Sequence, residues 1–166
     1  PSILDPRVCA GDVGGVLSVY SLSKQSNLAG YRAAFLAGDA TIVASLLTAR
    51  KHLGLMLPLP VQHAMVAALH DDEHVAHQKE LYRRRRDVLR PALERAGFRI
   101  DHSDAGLYLW ATLGEDAWST LGWLAERGIL AGPGHFYGTH FPHHVRFSLT
   151  ASQERIESAA ARLAVS

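Results

Sequence analysis

The order of apolar and polar positions in the first third of the chain predicts two strands and a helix. Residues 16–21 are β-branched and apolar and follow two glycines, which predicts a buried strand. A polar loop follows over residues 23–32, and residues 33–37 form a second short apolar run. Asp39 is placed to N-cap a helix whose apolar residues recur at helical spacing and which ends at Gly54.

The middle of the chain predicts a proline-rich linker and two helices. Pro58 and Pro60 each disfavour helix in the residue before them, so the linker around them is expected to be extended. A short apolar helix is predicted over residues 61–69. The two aspartates that follow start a longer helix, which ends at Gly97 and has Pro91 as a candidate kink.

Beyond Gly97 the pattern changes to that of a small α+β unit. We predict strands over 98–102 and 106–112, a helix over 117–127, a turn at 132–134, a strand over 145–149 and a final helix capped by Thr150 or Ser152. Packing in the core is the expected role of the aromatic residues at strand and helix positions, which are Tyr108, Trp110, Trp118 and Trp123. The fold class predicted for the whole chain is α/β.

Composition and charge narrow the classes of function. The 166 residues are 48% hydrophobic and 20% charged, which is ordinary for a globular protein, and the net charge of +1 gives no reason to expect a nucleic acid or membrane partner. Cys9 is the single cysteine and cannot form an internal disulfide. No apolar stretch approaches the ~20 residues that span a bilayer, and no secretory leader is visible. We therefore expect a cytoplasmic protein.

Lys24 is the strongest candidate for chemistry. It leaves a predicted strand into a glycine-bearing loop, where partial desolvation favours the neutral amine that attacks a carbonyl group. Ser21, Ser23 and Arg32 could form a phosphate cradle beside it, since arginine offers a planar fork to phosphate oxygens. A lysine with a phosphate cradle suggests pyridoxal phosphate. From spacing alone, an exposed loop lysine with capping serines explains the same residues.

Three other patterns admit alternative interpretations. Ser21 and Lys24 satisfy S-x-x-K, but the S-D-N and K-T-G elements of penicillin-recognising hydrolases are not found. The segment 134–144 holds four histidines without a carboxylate or cysteine, so we favour a substrate-gating loop, in which His135 and Tyr137 are candidate contacts, over a metal site. The four arginines at 83–86 fan around a helix, which is typical of a solvated surface rather than of nucleic-acid binding. We predict no metal.

The segment SLSKQSNLAGYRAAFLAGD resembles the cofactor-lysine region of fold-type I, class I/II pyridoxal-phosphate aminotransferases. Later segments resemble the small domain of that family in the same order, namely GLYLW, GILAGPGHFYG and VRFSLT. The resemblance implies the C-terminal part of the large domain followed by the α+β small domain. It is strongest to the succinyldiaminopimelate aminotransferases of the actinobacterial type.

The resemblance also implies roles for the candidate residues. Lys24 is similar to the lysine that tethers the cofactor and later moves a proton at the substrate α-carbon. Ser21, Ser23 and Arg32 are similar to the phosphate-binding set, and Arg146 to the arginine that binds the substrate α-carboxylate. The implied substrates are an amino acid such as glutamate and a keto acid, with N-succinyl-2-amino-6-oxopimelate of lysine and diaminopimelate biosynthesis as the candidate.

Several residues that the family needs are not found before the lysine strand. They are the aspartate at the pyridine nitrogen, an aromatic ring on the cofactor, and Asn and Tyr at its 3-oxygen. The resemblance therefore implies a C-terminal portion, inactive alone, whose N-terminal half lies on the same or a separate chain, in a homodimer. The predicted division is a large-domain remnant over 1–57, connecting helices over 58–97 and a small domain over 98–166.

Two other functions remain open. A family fragment without its electron sink could be a non-catalytic interaction module, which would bind no cofactor on its own. The same cofactor chemistry also supports decarboxylation, racemisation and β- or γ-elimination. The carboxylate-binding arginine favours transamination among these.

Overall fold

Two short apolar runs in the first third of the chain pair as an antiparallel ribbon. The computed structural model describes residues 1–164, and Pro1–Ala76 form one compact unit within it. Its elements in chain order are α1 (Pro6–Cys9), β1 (Leu17–Ser21), α2 (Leu22–Gln25), a 3₁₀ turn (Ala29–Tyr31), β2 (Ala34–Gly38), α3 (Ala40–His52) and α4 (Leu59–Leu69). The ribbon pairs β1 with β2, from Leu17 opposite Gly38 to Ser21 opposite Ala34.

The strand predicted to be buried is largely exposed. In the described residues β1 is bonded only to β2, so much of the ribbon lacks a covering layer, and Val19 is 71% exposed. The polar loop predicted for residues 23–32 is also wrong in detail, because α2 extends into it from Leu22 and the 3₁₀ turn lies within it. Ser21 explains the difference, since its side chain caps α2.

The helices of this unit begin and end close to their predicted positions. Asp39 Oδ1 accepts from the backbone N–H groups of Thr41 and Ile42 at 2.8 and 3.1 Å, which starts α3 as predicted. The extended linker is shorter than predicted, because α4 already begins at Leu59. Pro60 lies in its first turn, where a missing N–H removes no helical hydrogen bond.

The second compact unit begins at His77, within the long helix α5 (Asp72–Arg95). Its further elements are β3 (Arg99–Asp101), β4 (Tyr108–Thr112), α6 (Ala117–Glu126), β5 (Gly132–Pro133), a 3₁₀ turn (Gly134–Tyr137), β6 (Val145–Ser148) and α7 (Gln153–Leu163). The strands form an antiparallel sheet in the order β3-β4-β6-β5. The turn predicted at 132–134 is therefore a short strand followed by the 3₁₀ turn, and Ser152, not Thr150, caps α7.

Alternation along β4 and β6 decides where the core of this unit lies. Leu109 and Ala111 face one side together with Val145 and Phe147, and α5, α6 and α7 contribute further apolar side chains to the same core. The residues between them on the two strands face away from this core. The α/β class is confirmed, the three-part domain division stays a prediction, and residues 165 and 166 of the predicted small domain lie outside the described part.

Candidate active site

The predicted site begins with a turn that carries Lys24 at the end of β1. Residues 21–26, which we call the lysine turn, comprise α2 and its two caps. Ser21 Oγ accepts from the Ser23 backbone N–H at 3.2 Å and lies 3.0 Å from Ser23 Oγ. The structure thus brings together Ser21, Ser23 and Lys24, three of the predicted residues, within a single turn of helix.

The environment of Lys24 differs from the one expected from the sequence. Leu22 is completely buried and anchors the lysine turn, whereas Lys24 itself is exposed. The partial desolvation predicted for the lysine is not seen in the described chain. The buried cluster beside the turn consists of Leu22, Ala33 and Met65, and Lys24 lies outside it. The amine is accessible to a carbonyl compound from solvent.

Arg32 lies at the end of the 3₁₀ turn in the left-handed region, with φ of 52°. A side chain in that region costs on the order of 1–2 kcal/mol, and such strain clusters at functional positions. Its Nη1 donates to the Ala29 carbonyl at 3.0 Å. Ser21 Oγ lies 3.4 Å from the carbonyl oxygen of Ala33, so the lysine turn is tied to the segment that carries Arg32.

Arg146 is held between two tyrosine rings on the face of the sheet that points away from the core. Its guanidinium carbon lies 4.0 Å from the ring centre of Tyr108 and 5.0 Å from that of Tyr137. Three other partly buried arginines of this unit differ from Arg146, because each donates to a backbone carbonyl: Arg85, Arg86 and Arg127. In the described residues Arg146 makes neither a hydrogen bond nor an ion pair, and its buried Nε is unpartnered. Its fork is therefore available to an anion such as a carboxylate.

The sequence prediction missed the role of Tyr108. We expected core packing, but the core residue on that strand is its neighbour Leu109, and Tyr108 lies on the face of Arg146. Side chains alternate between the two faces of a strand, so the position of Tyr108 follows once Leu109 is known to face the core. The core prediction is also wrong for Trp110, which lies on the same face as Arg146, and for Trp118, which is 54% exposed and stacks near His135.

Residues of the histidine-rich loop build an aromatic layer on the same face. Trp110 stacks on His144 at 5.2 Å between ring centres and contacts Tyr137 edge-on. His144 Nε2 lies 3.0 Å from Asp101 Oδ2. Hydrogen bonds from Arg99, and secondarily from His144, lower the pKa of the Asp101 carboxyl to about 2. Two of the loop's side chains therefore brace the sheet face that carries Arg146.

The remaining patterns do not form sites of their own. Within residues 1–164 no three His, Cys, Asp or Glu side chains converge as metal ligands, and no helix there is long and apolar enough to cross a membrane. Each arginine of the 83–86 run has a partner: Arg83 and Arg84 pair with Glu80, while Arg85 and Arg86 donate to backbone carbonyls. The run is therefore only partly the solvated surface that the sequence suggested.

An accessible lysine amine, such as that of Lys24 on its serine-capped turn, can attack the carbon of a carbonyl compound. The model of the family described as aminotransferase class I and II matches residues 5–163. The chain belongs to this family, whose members depend on pyridoxal phosphate.

Curated relatives support the same assignment. The chain is 59% identical over 162 residues to a probable aminotransferase of Mycobacterium tuberculosis and 56% identical over 162 residues to the 4-dedimethylamino-4-oxo-anhydrotetracycline transaminase OxyQ of Streptomyces rimosus. These matches cover 98% of this chain but 39% and 45% of the two relatives. An LL-diaminopimelate aminotransferase of Dehalococcoides mccartyi is 34% identical over 93% of this chain and 40% of its own length.

Solved structures show the same fold. An aminotransferase of Neisseria meningitidis superposes with a TM-score of 0.84 at 29% identity, covering 95% of this chain and 42% of that one. A probable N-succinyldiaminopimelate aminotransferase of Thermus thermophilus superposes with a TM-score of 0.77 at 30% identity, covering 92% of this chain and 42% of that one. The fold class is thus that of the pyridoxal-phosphate aminotransferases, and the chain spans about 40% of the length of its relatives.

The residues present fit pyridoxal phosphate by their chemistry. The cofactor has an aldehyde, which an amine can attach, and a phosphate group, which hydroxyls and a guanidinium can bind. The lysine turn carries the amine of Lys24 and the hydroxyls of Ser21 and Ser23, and the strained Arg32 follows shortly after it in the chain. Arg146 lies in the second unit.

Proposed function

We propose that the protein containing this chain is a pyridoxal-phosphate-dependent aminotransferase. The observation that carries the proposal is the lysine turn, where an accessible lysine and two serine hydroxyls share one helical turn in a chain of this family. An aminotransferase moves an amino group from an amino acid to a keto acid. The proposal covers the complete protein, in which the chain contributes the lysine and the substrate arginine.

Each residue of the site has a distinct task in this proposal. When bound, pyridoxal phosphate supplies an aldehyde that combines with amines and a ring that withdraws electrons from the substrate α-carbon. Lys24 Nζ would hold the aldehyde carbon, with water as the leaving group, and would later move a proton from the substrate α-carbon to the cofactor. Ser21, Ser23 and Arg32 bind the phosphate oxygens.

Arg146 binds the α-carboxylate of the substrate through two parallel hydrogen bonds. The support for this role is its unpaired guanidinium, held in place by the rings of Tyr108 and Tyr137. Stacking restricts the rotation of a long side chain before the ligand arrives, which reduces the entropy lost on binding. The same contacts favour transamination of amino acids over chemistry on substrates without a carboxylate.

For the substrates, we propose glutamate as amino donor and N-succinyl-2-amino-6-oxopimelate as keto acid. Similarity to the Thermus thermophilus and Dehalococcoides mccartyi proteins supports a diaminopimelate-type substrate. The 56% identity to a transaminase of 4-dedimethylamino-4-oxo-anhydrotetracycline supports a second candidate, a polycyclic ketone. Initial rates with the two acceptors at equal concentration separate these candidates. We further propose a cytoplasmic homodimer with the three-part domain division given above.

The central test is chemical trapping of the lysine in the complete protein. Borohydride reduction in the presence of pyridoxal phosphate, followed by peptide mapping, should place a phosphopyridoxyl group on Lys24. The chain offers two internal controls, because Lys51 and Lys79 are its other lysines and both are exposed. Labelling of Lys24 alone supports the proposal. Equal labelling of all three lysines, or no labelling, would favour the non-catalytic interaction module.

A further inference from the structure

The lysine turn ends in a chain of three hydrogen-bonding side chains that the proposed function does not use. Ser26, the last residue of the turn, has its Oγ 3.0 Å from Nε2 of His74. Nδ1 of the same ring lies 3.1 Å from Oδ2 of Asp71. All three residues belong to the first unit, and His74 lies on the first turn of α5.

The lysine turn needs support from outside because α2 has only four residues. A helix of that length does not hold itself, since nucleation costs more than its few hydrogen bonds return. Its last residues are held by bonds to the Leu22 carbonyl from the N–H groups of Ser26 at 3.0 Å and Leu28 at 3.4 Å. Ser21 caps the first end of the turn, and the bond to His74 holds the other end. Lys24 lies between these two anchored serines.

Asp71 contacts both the backbone and the ring of His74. Its Oδ1 accepts from the backbone N–H groups of Glu73 and His74 at 3.0 and 3.2 Å, and so caps α5. Its other oxygen faces Nδ1 of the His74 ring. The backbone N–H of His74, with smaller contributions from the His74 ring and the Glu73 N–H, lowers the pKa of the Asp71 carboxyl. A carboxylate beside Nδ1 holds the proton on that nitrogen and leaves Nε2 to accept from the Ser26 hydroxyl.

We propose that His74 is a positioning residue for Lys24, which acts by holding Ser26 at the end of the lysine turn while Asp71 orients its ring. The proposal rests on the proposed function for its catalytic consequence. It assigns a role to a residue that lies 48 positions from Ser26 in the sequence. Whether His74 holds the lysine turn can be measured without assaying enzyme activity.

The experiment compares four variants of the complete protein: Ser26→Ala, His74→Ala, His74→Gln and His77→Ala. Glutamine places an amide at about the position of Nε2 and can still accept from Ser26, so it tests rescue. His77 is the control, since it is an exposed histidine one turn further along α5 whose side chain makes no hydrogen bond in the described residues. Ser26→Ala removes a single hydroxyl and keeps the test usable if His74→Ala does not fold.

Two readouts are needed. Hydrogen–deuterium exchange of the amides of residues 22–28 should rise by about tenfold in Ser26→Ala and His74→Ala, with exchange in α6 unchanged. The rate at which borohydride traps pyridoxal phosphate on Lys24 should fall by a similar factor, about tenfold, and recover in His74→Gln. Wild-type exchange and trapping rates in Ser26→Ala would overturn the proposal. So would a His77→Ala variant as impaired as His74→Ala, or a His74→Gln variant without recovery.

The two proposals fail in different ways. If the wild-type protein shows no trapping on Lys24, the proposed function is wrong, whereas the exchange measurement still tests whether His74 holds the turn. If Lys24 is trapped normally in every variant, the aminotransferase assignment stands and the positioning role of His74 is wrong. In the active enzyme we expect His74→Ala to lower kcat while the KM for the amino donor changes little.

Discussion

The second unit buries a continuous apolar core, whereas the first unit buries very little. Three of the first unit's described apolar residues are buried, namely Leu22, Ala33 and Met65. Many others in that unit are exposed, including Val19 on β1 and Leu53 after α3. In the second unit, the sheet and three helices surround a large cluster of side chains with almost no exposure. Burial of apolar side chains therefore stabilises the second unit more than the first, although the first unit carries Lys24.

This difference shows two ways of holding a functional side chain. Arg146 extends from a central strand of a well-packed sheet, with aromatic rings against its guanidinium. Lys24 sits on a short turn that depends on one buried leucine and on side-chain hydrogen bonds at its two ends. Packing fixes the arginine, and directional polar contacts fix the lysine. Variants in each unit can test that contrast.

The largest effect is expected from Lys24→Arg in the complete enzyme. It keeps the positive charge but removes the nucleophilic amine, so transamination should fall by at least about 10²–10⁴-fold. Because Lys24 is exposed, the melting temperature of the protein without cofactor should not change. Lys51→Arg is the matched control and should leave activity intact. Normal turnover by Lys24→Arg would contradict the proposed function.

Leu109→Ala should produce the largest loss of stability among these variants. Leu109 is 0% exposed in the core of the second unit, and its truncation should lower the free energy of unfolding by about 2–5 kcal/mol. Leu130, which is 97% exposed, provides the control, and Leu130→Ala should stay within about 0.5 kcal/mol of wild type. Denaturant titration measures both. Equal effects of the two substitutions would mean that the core is not where the structure places it.

Arg146→Lys should act on substrate binding rather than on stability. Lysine cannot form the paired hydrogen bonds of a guanidinium, so the KM for the amino donor should rise roughly tenfold to a hundredfold. Steady-state kinetics should show a smaller change in kcat. Arg155→Lys changes an exposed arginine of α7 in the same way and should leave KM unchanged. An unchanged KM in Arg146→Lys would remove Arg146 from the site.

The smallest effect is expected from the ion pairs beside the aromatic layer. The pKa of Asp101 is lowered from its ordinary 3.8 to about 2 in the folded chain, so its contribution to stability is present above about pH 4 and is lost as the pH falls toward 2. In Asp101→Asn the free energy of unfolding should therefore depend less steeply on pH in that window. Asp104→Asn is the control, since that side chain is 90% exposed. A slope identical to wild type in Asp101→Asn would show that the contacts with Arg99 and His144 are not maintained in solution.

Local rules predicted the ends of the elements well. Asp39 and Ser152 cap helices as expected, and the glycines at 54 and 97 follow helices with positive φ. These outcomes depend on a few neighbouring residues, so the sequence carries them directly. The resemblance of the segment around Lys24 also identified the family correctly.

Features that depend on distant residues could not be predicted. The exposure of β1 follows from the number of strands that pair with it, which no local pattern records. Tyr108 and Arg146 meet through strand pairing, and the face on which they meet is defined only once the core is known. Ser26 and His74 are joined across 48 positions by the fold alone. The roles of Ser21, Ser23, Lys24, Arg32 and Arg146 stay predictions.

The segment from Gly134 to His144 is closed at its base by a hydrogen bond from the Gly134 N–H to the His144 carbonyl at 2.7 Å. A Cβ at position 134 would overlap the carbonyl oxygens of Phe141 and His144, so this position is restricted to glycine. Of the intervening residues, Tyr137 lies against the Arg146 guanidinium, with 5.0 Å between the guanidinium carbon and the ring centre. A library that varies residues 135–140 while keeping Gly134 and His144 would alter the ring of Tyr137 beside Arg146 and keep the backbone hydrogen bond that closes the segment. Selection on such a library offers a route to new amino donors.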